Sequence, residues 1–408
     1  MTNNQHVLLA RQPIYNSKLE IHAYELLFRS NNLRDDAQFT CGDKATSQVL
    51  LNAFGELGLK SICGEHQAYI NFTKNLILEL PPFDPSQFVI EILEDIDVDD
   101  TLINALKLAK KKGACLALDD FILNHNSAPL LHMVDIVKID VLALSKKHIE
   151  RFAKAFIPRG ITLLAEKIET HEMFDFCKSL GFTLFQGYFL SKPQNIEGQA
   201  IPENKAIILK MLKEVQDTNI TASKLAETIG QDPQISYKLL KLVNSAAFTR
   251  LETCTSLQQA IALLGLNQLK SWVTLIALGN MEEKPKALHQ NSLERAILCQ
   301  MLGEKIGEHS IYDYYTVGLF SLLDAYFDRP LLGIIKGLNL PDYMVKAILN
   351  EKGGLGLALH TAKCFQRGKL DELNIEALEK HSLDIELINE LYKQCIIETN
   401  SQSDDLLN

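Results

Sequence analysis

Short runs rich in β-branched and aromatic residues recur through the first half of the chain, at 7–10, 22–28, 68–72, 88–92, 115–118, 136–139, 162–165 and 183–185. Each is bounded by polar or turn-forming residues, the pattern of strands. Between several of them apolar positions recur at helical spacing, as in 100–112 and 170–180. Strands and helices in alternation predict a parallel sheet with helices outside it. After Pro193 the texture changes. Gly198 and Pro202 break the stretch 194–202, which reads as a linker, and nearly everything beyond it is helical. Thr221 is placed to cap a helix running to Ile229, and Asp232-Pro233 to start another. Ser256 caps 257–264, which Gly265 ends; further helices cover 292–307 and 313–326. The stretch 354–367 reads as a mobile connection, and the polar end, 398–408, as a frayed tail.

At 408 residues the chain exceeds one ordinary core, and the change after Pro193 gives domains of 1–200 and 203–392 with a tail of 393–408. With 47% hydrophobic and 23% charged residues it reads as globular. A formal net charge of −10 offers no general attraction for phosphate without a local basic patch. The eight cysteines form no CxxC pair and lie among apolar runs. That argues against a disulfide framework or zinc site and for small core residues in a reducing compartment. The N-terminus lacks a basic region ahead of its apolar run, which Arg11 interrupts, so no secretory signal is expected. The most apolar region of the second half, 260–279, contains Asn267, Gln268 and Lys270, unlike a membrane span. A cytoplasmic location is the expectation.

Polar residues recur at the C-terminal ends of the strand-like runs: Glu25 and Arg29, then Asn71, Glu91, Asp119 with Asp120, Lys138 with Asp140, Glu166 with Glu169, and Gln186. In an eight-stranded (β/α) barrel these ends converge on one face, where active sites are built. One acid after a strand is commonly a helix cap; a succession of acids and amides with one lysine asks for more than capping. Carboxylate and amide oxygens suit Mg²⁺ or Mn²⁺, and paired metals promote phosphoester hydrolysis.

These motifs resemble the EAL family. Gln12-Pro13-Ile14 is similar to its opening strand and Glu25-Leu26-Leu27-Phe28-Arg29 to its signature. Asn71, Glu91-Ile92-Leu93-Glu94, Asp119-Asp120-Phe121, Lys138-Ile139-Asp140, Ala165-Glu166-Lys167-Ile168-Glu169-Thr170 and Gln186-Gly187-Tyr188 with Pro193 follow in the family's order. The resemblance implies an α/β TIM-like (β/α)8 barrel that hydrolyses cyclic di-GMP to pGpG with two divalent metals, Mg²⁺ or Mn²⁺. It implies that Glu25, Asn71, Glu91 and Asp119 hold one metal, and that Asp119, Asp120 and Glu166 serve the second. Lys138 would contact the hydrolytic water, with Glu166 as an alternative general base. Gln12, Leu27, Arg29, Asp140 and Gln186 would face the nucleotide, Arg29 on a phosphate, while Glu169 and Gln186 support the metal shell. A homodimer through the family's barrel contact is one option. Three features depart from the family. Ile122, Leu123, Asn124 and His125 stand where its loop is glycine-rich, Lys167 replaces a glycine, and the barrel is shorter than usual.

The second half, 205–390, resembles the HDOD domain, an all-α relative of HD phosphohydrolases, most clearly in Leu239-Leu240-Lys241-Leu242-Val243-Asn244-Ser245 and Ala260-Ile261-Ala262-Leu263-Leu264-Gly265. Where an HD hydrolase needs histidine and a His-Asp pair, the chain has Asn291-Ser292 and Leu323-Asp324. His289 and His309 are expected at the surface. This half therefore reads as a non-catalytic module that docks a protein partner. The pair 221–229 and 234–243 also has a helix-turn-helix pattern. Residues 203–245, however, carry six lysines and five acids, a poor footprint for DNA. Two functions compete: a cyclic di-GMP phosphodiesterase that favours motility over biofilm, or an inactive cyclic di-GMP-binding or scaffold protein.

Overall fold

A computed structural model describes residues 7–30, 59–80, 84–93, 96–119, 129–192, 203–243, 254, 256–281, 284–338 and 340–407, the side chains of 7–8, 28–30, 203–204, 233–234, 241–242 and 403–407 excepted. Eight strands close into a barrel in chain order: β1 (Val7–Asn16), β2 (Ile21–Ser30), β3 (Gln67–Phe72), β4 (Phe88–Ile92), β5 (Cys115–Leu118), β6 (Ile136–Asp140), β7 (Thr162–Glu166) and β8 (Leu184–Gln186). The sheet departs from the all-parallel expectation at one strand, because β1 runs antiparallel to both β2 and β8. The cause is local. Asn16 Oδ1 accepts hydrogen bonds from the amides of Lys18 and Glu20, and the Leu19 amide donates to the Asn16 carbonyl. A connection this tight returns the chain alongside itself, whereas parallel neighbours need a long crossover.

Inside the barrel each strand gives one buried residue to a single cluster: Ile14, Ala23, Tyr69, Val89, Ala117, Ile136, Leu164 and Leu184. Outside it, the helix Asp100–Lys111 buries Leu102, Leu106 and Ala109 and is capped by Asp99, whose carboxylate accepts from the Leu102 amide. Thr170 caps His171–Ser179 in the same manner.

The chain divides into two compact units. The first is the barrel half, Met1–Leu190, together with Cys364–Leu373 and Ile385–Lys393; the remainder forms the second. Two C-terminal segments thus cross the boundary read from the linker. The second of them, Ile385–Lys393, covers an edge that the short β8 leaves open, since β8 pairs with β1 only at Ile14, Tyr15 and Asn16. Along the rest of β1, the Leu9 amide donates to Asn389 Oδ1 at 2.8 Å and the Arg11 amide to Tyr392 Oη at 3.4 Å. A strand edge with unsatisfied amides is a liability, and covering it is a common remedy.

In the second unit the described secondary structure is helical, and the capping expectations hold: Thr221 caps Ala222–Gly230, and Ser256 caps Leu257–Leu264 before Gly265. The expected helices at 292–307 and 313–326 are Lys286–Ile306, then Ile311–Phe320 and Leu323–Phe327. Trp272 is a core residue. Two expectations fail. The stretch 354–367 lies in the helix Gly353–Arg367. Gly354 serves close packing there: its amide donates to Glu308 Oε2, and a Cβ would collide with Glu308 and Ile306. The tail is helical through Leu407, because Cys395, Ile396 and Thr399 continue a buried stripe. Of the eight cysteines, seven are described, all as free thiols and six of them buried. No described helix is long and apolar enough to cross a membrane.

Candidate active site

The site follows from strand periodicity. Successive side chains alternate faces, so a residue two positions beyond each member of the inner cluster points to the same interior, one layer nearer the strand C-termini. Two steps on from Ala23, Tyr69, Val89, Ala117, Ile136, Leu164 and Leu184 stand Glu25, Asn71, Glu91, Asp119, Lys138, Glu166 and Gln186. On the reversed β1 the step runs backward, from Ile14 to Gln12, which pairs across the sheet with Glu25. An apolar layer of eight therefore carries a polar layer of eight.

Lys138 is the hub of the polar layer. Its Nζ lies 2.6 Å from Glu91 Oε1, 2.7 Å from Asp119 Oδ1, 2.9 Å from Glu166 Oε1 and 3.4 Å from Glu25 Oε1. Lys138 and Glu91 are both 0% exposed. Two amides orient Glu25: Gln186 Nε2 donates to Oε2 at 2.6 Å and Asn71 Nδ2 to Oε1 at 3.4 Å. Four carboxylates around one ammonium leave an excess of negative charge out of water, which is costly unless it is neutralised. The proton affinities respond. Burial, reinforced by Glu25 and opposed by Lys138, drives the Glu91 carboxyl well above the ordinary range. Burial, again against Lys138, pushes Glu166 up to about 8. Burial works against the Lys138 ammonium, yet Glu25, Glu91, Glu166 and Asp119 outweigh it and hold its pKa well above the usual lysine value.

The donor set fits a hard divalent cation. Every donor around Lys138 is oxygen, and Asn71 Oδ1, Glu91 Oε2 and Glu166 Oε2 are buried without a hydrogen-bond partner. Orphaned buried acceptors call for an explanation, and a cation supplies one. Among the described residues no three Asp, Glu, His or Cys side chains form a ready-made metal cage. The carboxylates close on the ammonium instead.

At the rim, Asp140 stands apart from the hub: Lys167 Nζ donates to its Oδ2 at 2.7 Å, and the amides of Leu142 and Ala143 donate to Oδ1. Lys167 has φ +56°, left-handed backbone that a glycine adopts at no cost. Glu169 faces solvent beyond the buried Ile168. Gly187 lets the exit of β8 approach β7, since a Cβ there would collide with the Ile168 backbone. Asp120, the residues 122–125 and the side chain of Arg29 lie outside the described residues.

In the second unit, several buried charged groups are matched. Lys284 Nζ lies 2.7 Å from Asp328 Oδ1, and Lys205 Nζ 3.1 Å from Asp328 Oδ2. Arg295, 0% exposed, donates to Ser321 Oγ at 2.9 Å. His289 is buried, against the expectation of a surface position; its Nδ1 lies 2.9 Å from Tyr326 Oη, and burial lowers its pKa to about 4. Sequence reasoning missed it because it supplies a polar member to a helix buried over most of its length. It also missed Arg367 and Gly368, whose signature is a basic last turn followed by a glycine with positive φ (+67°) at a helix end.

The EAL domain model matches residues 43–193, and the HDOD domain model matches 201–323. The chain is 32% identical over 404 residues to the cyclic di-GMP phosphodiesterase CdgJ of Vibrio cholerae, covering 98% of this chain and 92% of the relative. It is 33% identical over 376 residues to the uncharacterized protein YuxH of Bacillus subtilis, covering 90% and 92%. Among solved structures, Klebsiella pneumoniae BlrP1 in its manganese and cyclic di-GMP complex aligns at 25% identity over 46% of this chain and 56% of that one, with a TM-score of 0.38.

Proposed function

The chain belongs to the family that joins an EAL domain to an HDOD domain, and from that premise we propose that it is a metal-dependent phosphodiesterase converting cyclic di-GMP to linear pGpG. The observation that carries the reading is the polar layer: four carboxylates on one lysine, three of them buried, with oxygens left unmatched. Glu25, Asn71, Glu91 and Asp119 would hold one Mg²⁺ or Mn²⁺, and Asp119, Asp120 and Glu166 a second. Bound there, such ions supply an activated water and neutralise charge at the phosphate. Asn71 and Gln186 keep Glu25 oriented. Lys138 holds the water in line with the phosphorus, and Glu166, with its raised pKa, is the alternative acceptor of the water proton. Arg29 and Asp140 fix the nucleotide from the rim. One P–O3′ bond is exchanged for a P–O bond from water, and the 3′ oxygen leaves with a proton. The helical unit would couple this turnover to a protein partner, and lowering the messenger would favour motility over biofilm.

One observation favours a second reading, an inactive cyclic di-GMP receptor or scaffold acting through the HDOD domain. Lys167, where the family has glycine, takes the Asp140 carboxylate that the nucleotide would meet. Turnover by the purified protein with Mn²⁺ or Mg²⁺, beside a Glu25→Ala control, decides between them. Formation of pGpG that the control abolishes supports the phosphodiesterase. Binding without turnover supports the receptor, and the absence of both refutes phosphodiesterase and receptor alike and leaves the scaffold, acting through partners of the helical unit.

A further inference from the structure

Metal ions in the polar layer would offset its acids and meet one phosphate, which leaves the second phosphate to the rim. Cyclic di-GMP carries two phosphodiester charges, while the layer beneath it is acidic, with four carboxylates on one ammonium. An anion entering such a mouth needs cations at the rim. One comes from the far end of the chain. Within the barrel unit, the segment Cys364–Leu373 brings Arg367 to the exit of β8, where its guanidinium carbon lies 4.2 Å from the centroid of the Tyr188 ring. Tyr188 stands two residues beyond Gln186 of the polar layer. The next residue, Gly368, lies so close to Leu27 that a Cβ would collide with it, and that Cβ would be 3.8 Å from Gln12 Oε1. Arg367 and Gly368 therefore sit at the same rim as Gln12 and Leu27.

Two properties separate Arg367 from an ordinary surface arginine. Its Nε is buried and has no hydrogen-bond partner among the described residues. Its segment is also held in place. The Phe365 ring packs tilted against that of Tyr392 with centroids 4.5 Å apart, Tyr392 Oη accepts from the Arg11 amide, and the Gly368 and Lys369 amides donate back to the carbonyls of Phe365 and Cys364. A guanidinium fixed over an aromatic face, with an unused donor, is pre-organised for a phosphate, which it can grip with two parallel N–H groups.

We propose that Arg367 is a substrate-binding residue that completes the barrel mouth by taking a phosphate oxygen of the cyclic dinucleotide, so that a residue beyond the HDOD-matched stretch helps to set affinity for the barrel's ligand. The proposal rests on the phosphodiester-binding reading above. It is tested on the full-length protein by initial rates with Mn²⁺ and by equilibrium binding of cyclic di-GMP at low and high salt. The proteins compared are the wild type, Arg367→Met, which keeps an apolar stem over Tyr188, and Arg367→Lys, which keeps the charge without the fork. Losing one charge-assisted contact should weaken binding or raise KM by roughly ten- to a hundred-fold in Arg367→Met. Arg367→Lys should lose less, and kcat should fall less than KM rises. The affinity of Arg367→Met should also depend less on salt, because a screened Coulombic contact has gone. Wild-type affinity in Arg367→Met overturns the proposal and leaves the phosphodiesterase reading standing. So does a weaker affinity whose salt dependence is unchanged and which follows a lowered Tm, because Arg367 is then only a clamp. A wild type that neither binds nor hydrolyses cyclic di-GMP overturns the reading itself and Arg367's role with it.

Discussion

The two units bury charge in opposite ways. In the helical unit Asp328 meets both Lys205 and Lys284, Arg295 is bonded to Ser321, and His289 stays neutral against Tyr326. Each of these charged groups has been given something to hold, and among the described residues the buried groups left without a partner there are the neutral hydroxyls of Tyr314 and Tyr315. In the barrel, four carboxylates share one ammonium and several oxygens have no partner. Only the barrel retains oxygen ligands in surplus. The position that would need a metal-binding histidine next to Asp324 is Leu323, and a hydrocarbon cannot ligate. Surplus buried charge is unfavourable for folding, so its persistence points to chemistry; balanced charge points to architecture.

The sharpest break of this contrast is Lys138→Met. It strands four carboxylates, and loss of a buried partner costs about 3–5 kcal/mol. The metal-free variant should melt far below the wild type, and Mn²⁺ should recover more Tm in it than in the wild type; equal metal effects would mean that the acids do not bind a cation there. Asp328→Asn does the converse in the helical unit, leaving Lys205 and Lys284 without their carboxylate while asparagine tolerates the left-handed backbone (φ +52°) at that position. A loss of about 3 kcal/mol is expected, with no recovery by divalent ions and with turnover per folded molecule unchanged in urea-titrated samples.

A smaller effect is the pH dependence of the metal-free protein. Glu91 and Glu166 have folded pKa values above the unfolded value of 4.5, Glu166 at about 8. Above the unfolded value the folded state binds protons that the unfolded chain has released, so stability falls as pH rises from about 5 to 8. Melting curves in EDTA should show that decline, Glu166→Gln should flatten it, and a Tm that rises over this range would contradict the buried acid cluster. The smallest effect belongs to Lys167→Gly. It removes a left-handed penalty of about 1–2 kcal/mol and an exposed ion pair worth under about 1 kcal/mol, while adding glycine's chain entropy. Tm should move by only a few degrees, but Asp140 is released. If the lysine restrains the nucleotide site, affinity for cyclic di-GMP changes while the fold does not.

Much of the barrel was legible because strands with one face inside a closed sheet carry their function in phase with their core. Glu25, Glu91, Asp119, Lys138 and Glu166 each stand two residues beyond an apolar member of the inner cluster, so periodicity and motif agree. Helix ends at Thr221, Ser256 and Gly265 were legible because a cap is a bond between neighbours in sequence. The reversal of β1 was not, since eight similar strands carry no label of direction; the clue was the brevity of the connection between Asn16 and Ile21. His289 and the helix at 353–367 were misread because composition alone does not distinguish a glycine that packs closely from one that bends, or a buried histidine from a surface one.

By itself the sequence determined the order of strands and helices, the polar layer two residues above the apolar one, and the family. These follow from short-range periodicity and from side-chain chemistry carried in place. Tertiary structure alone decided which atoms meet: that Lys138 takes four carboxylates, that Asn71 and Gln186 both turn to Glu25, and that residues 385–393 close the edge of β1. The physical reason is that these contacts join positions up to about 380 residues apart, and their free energy depends on burial and distance, which no local pattern encodes.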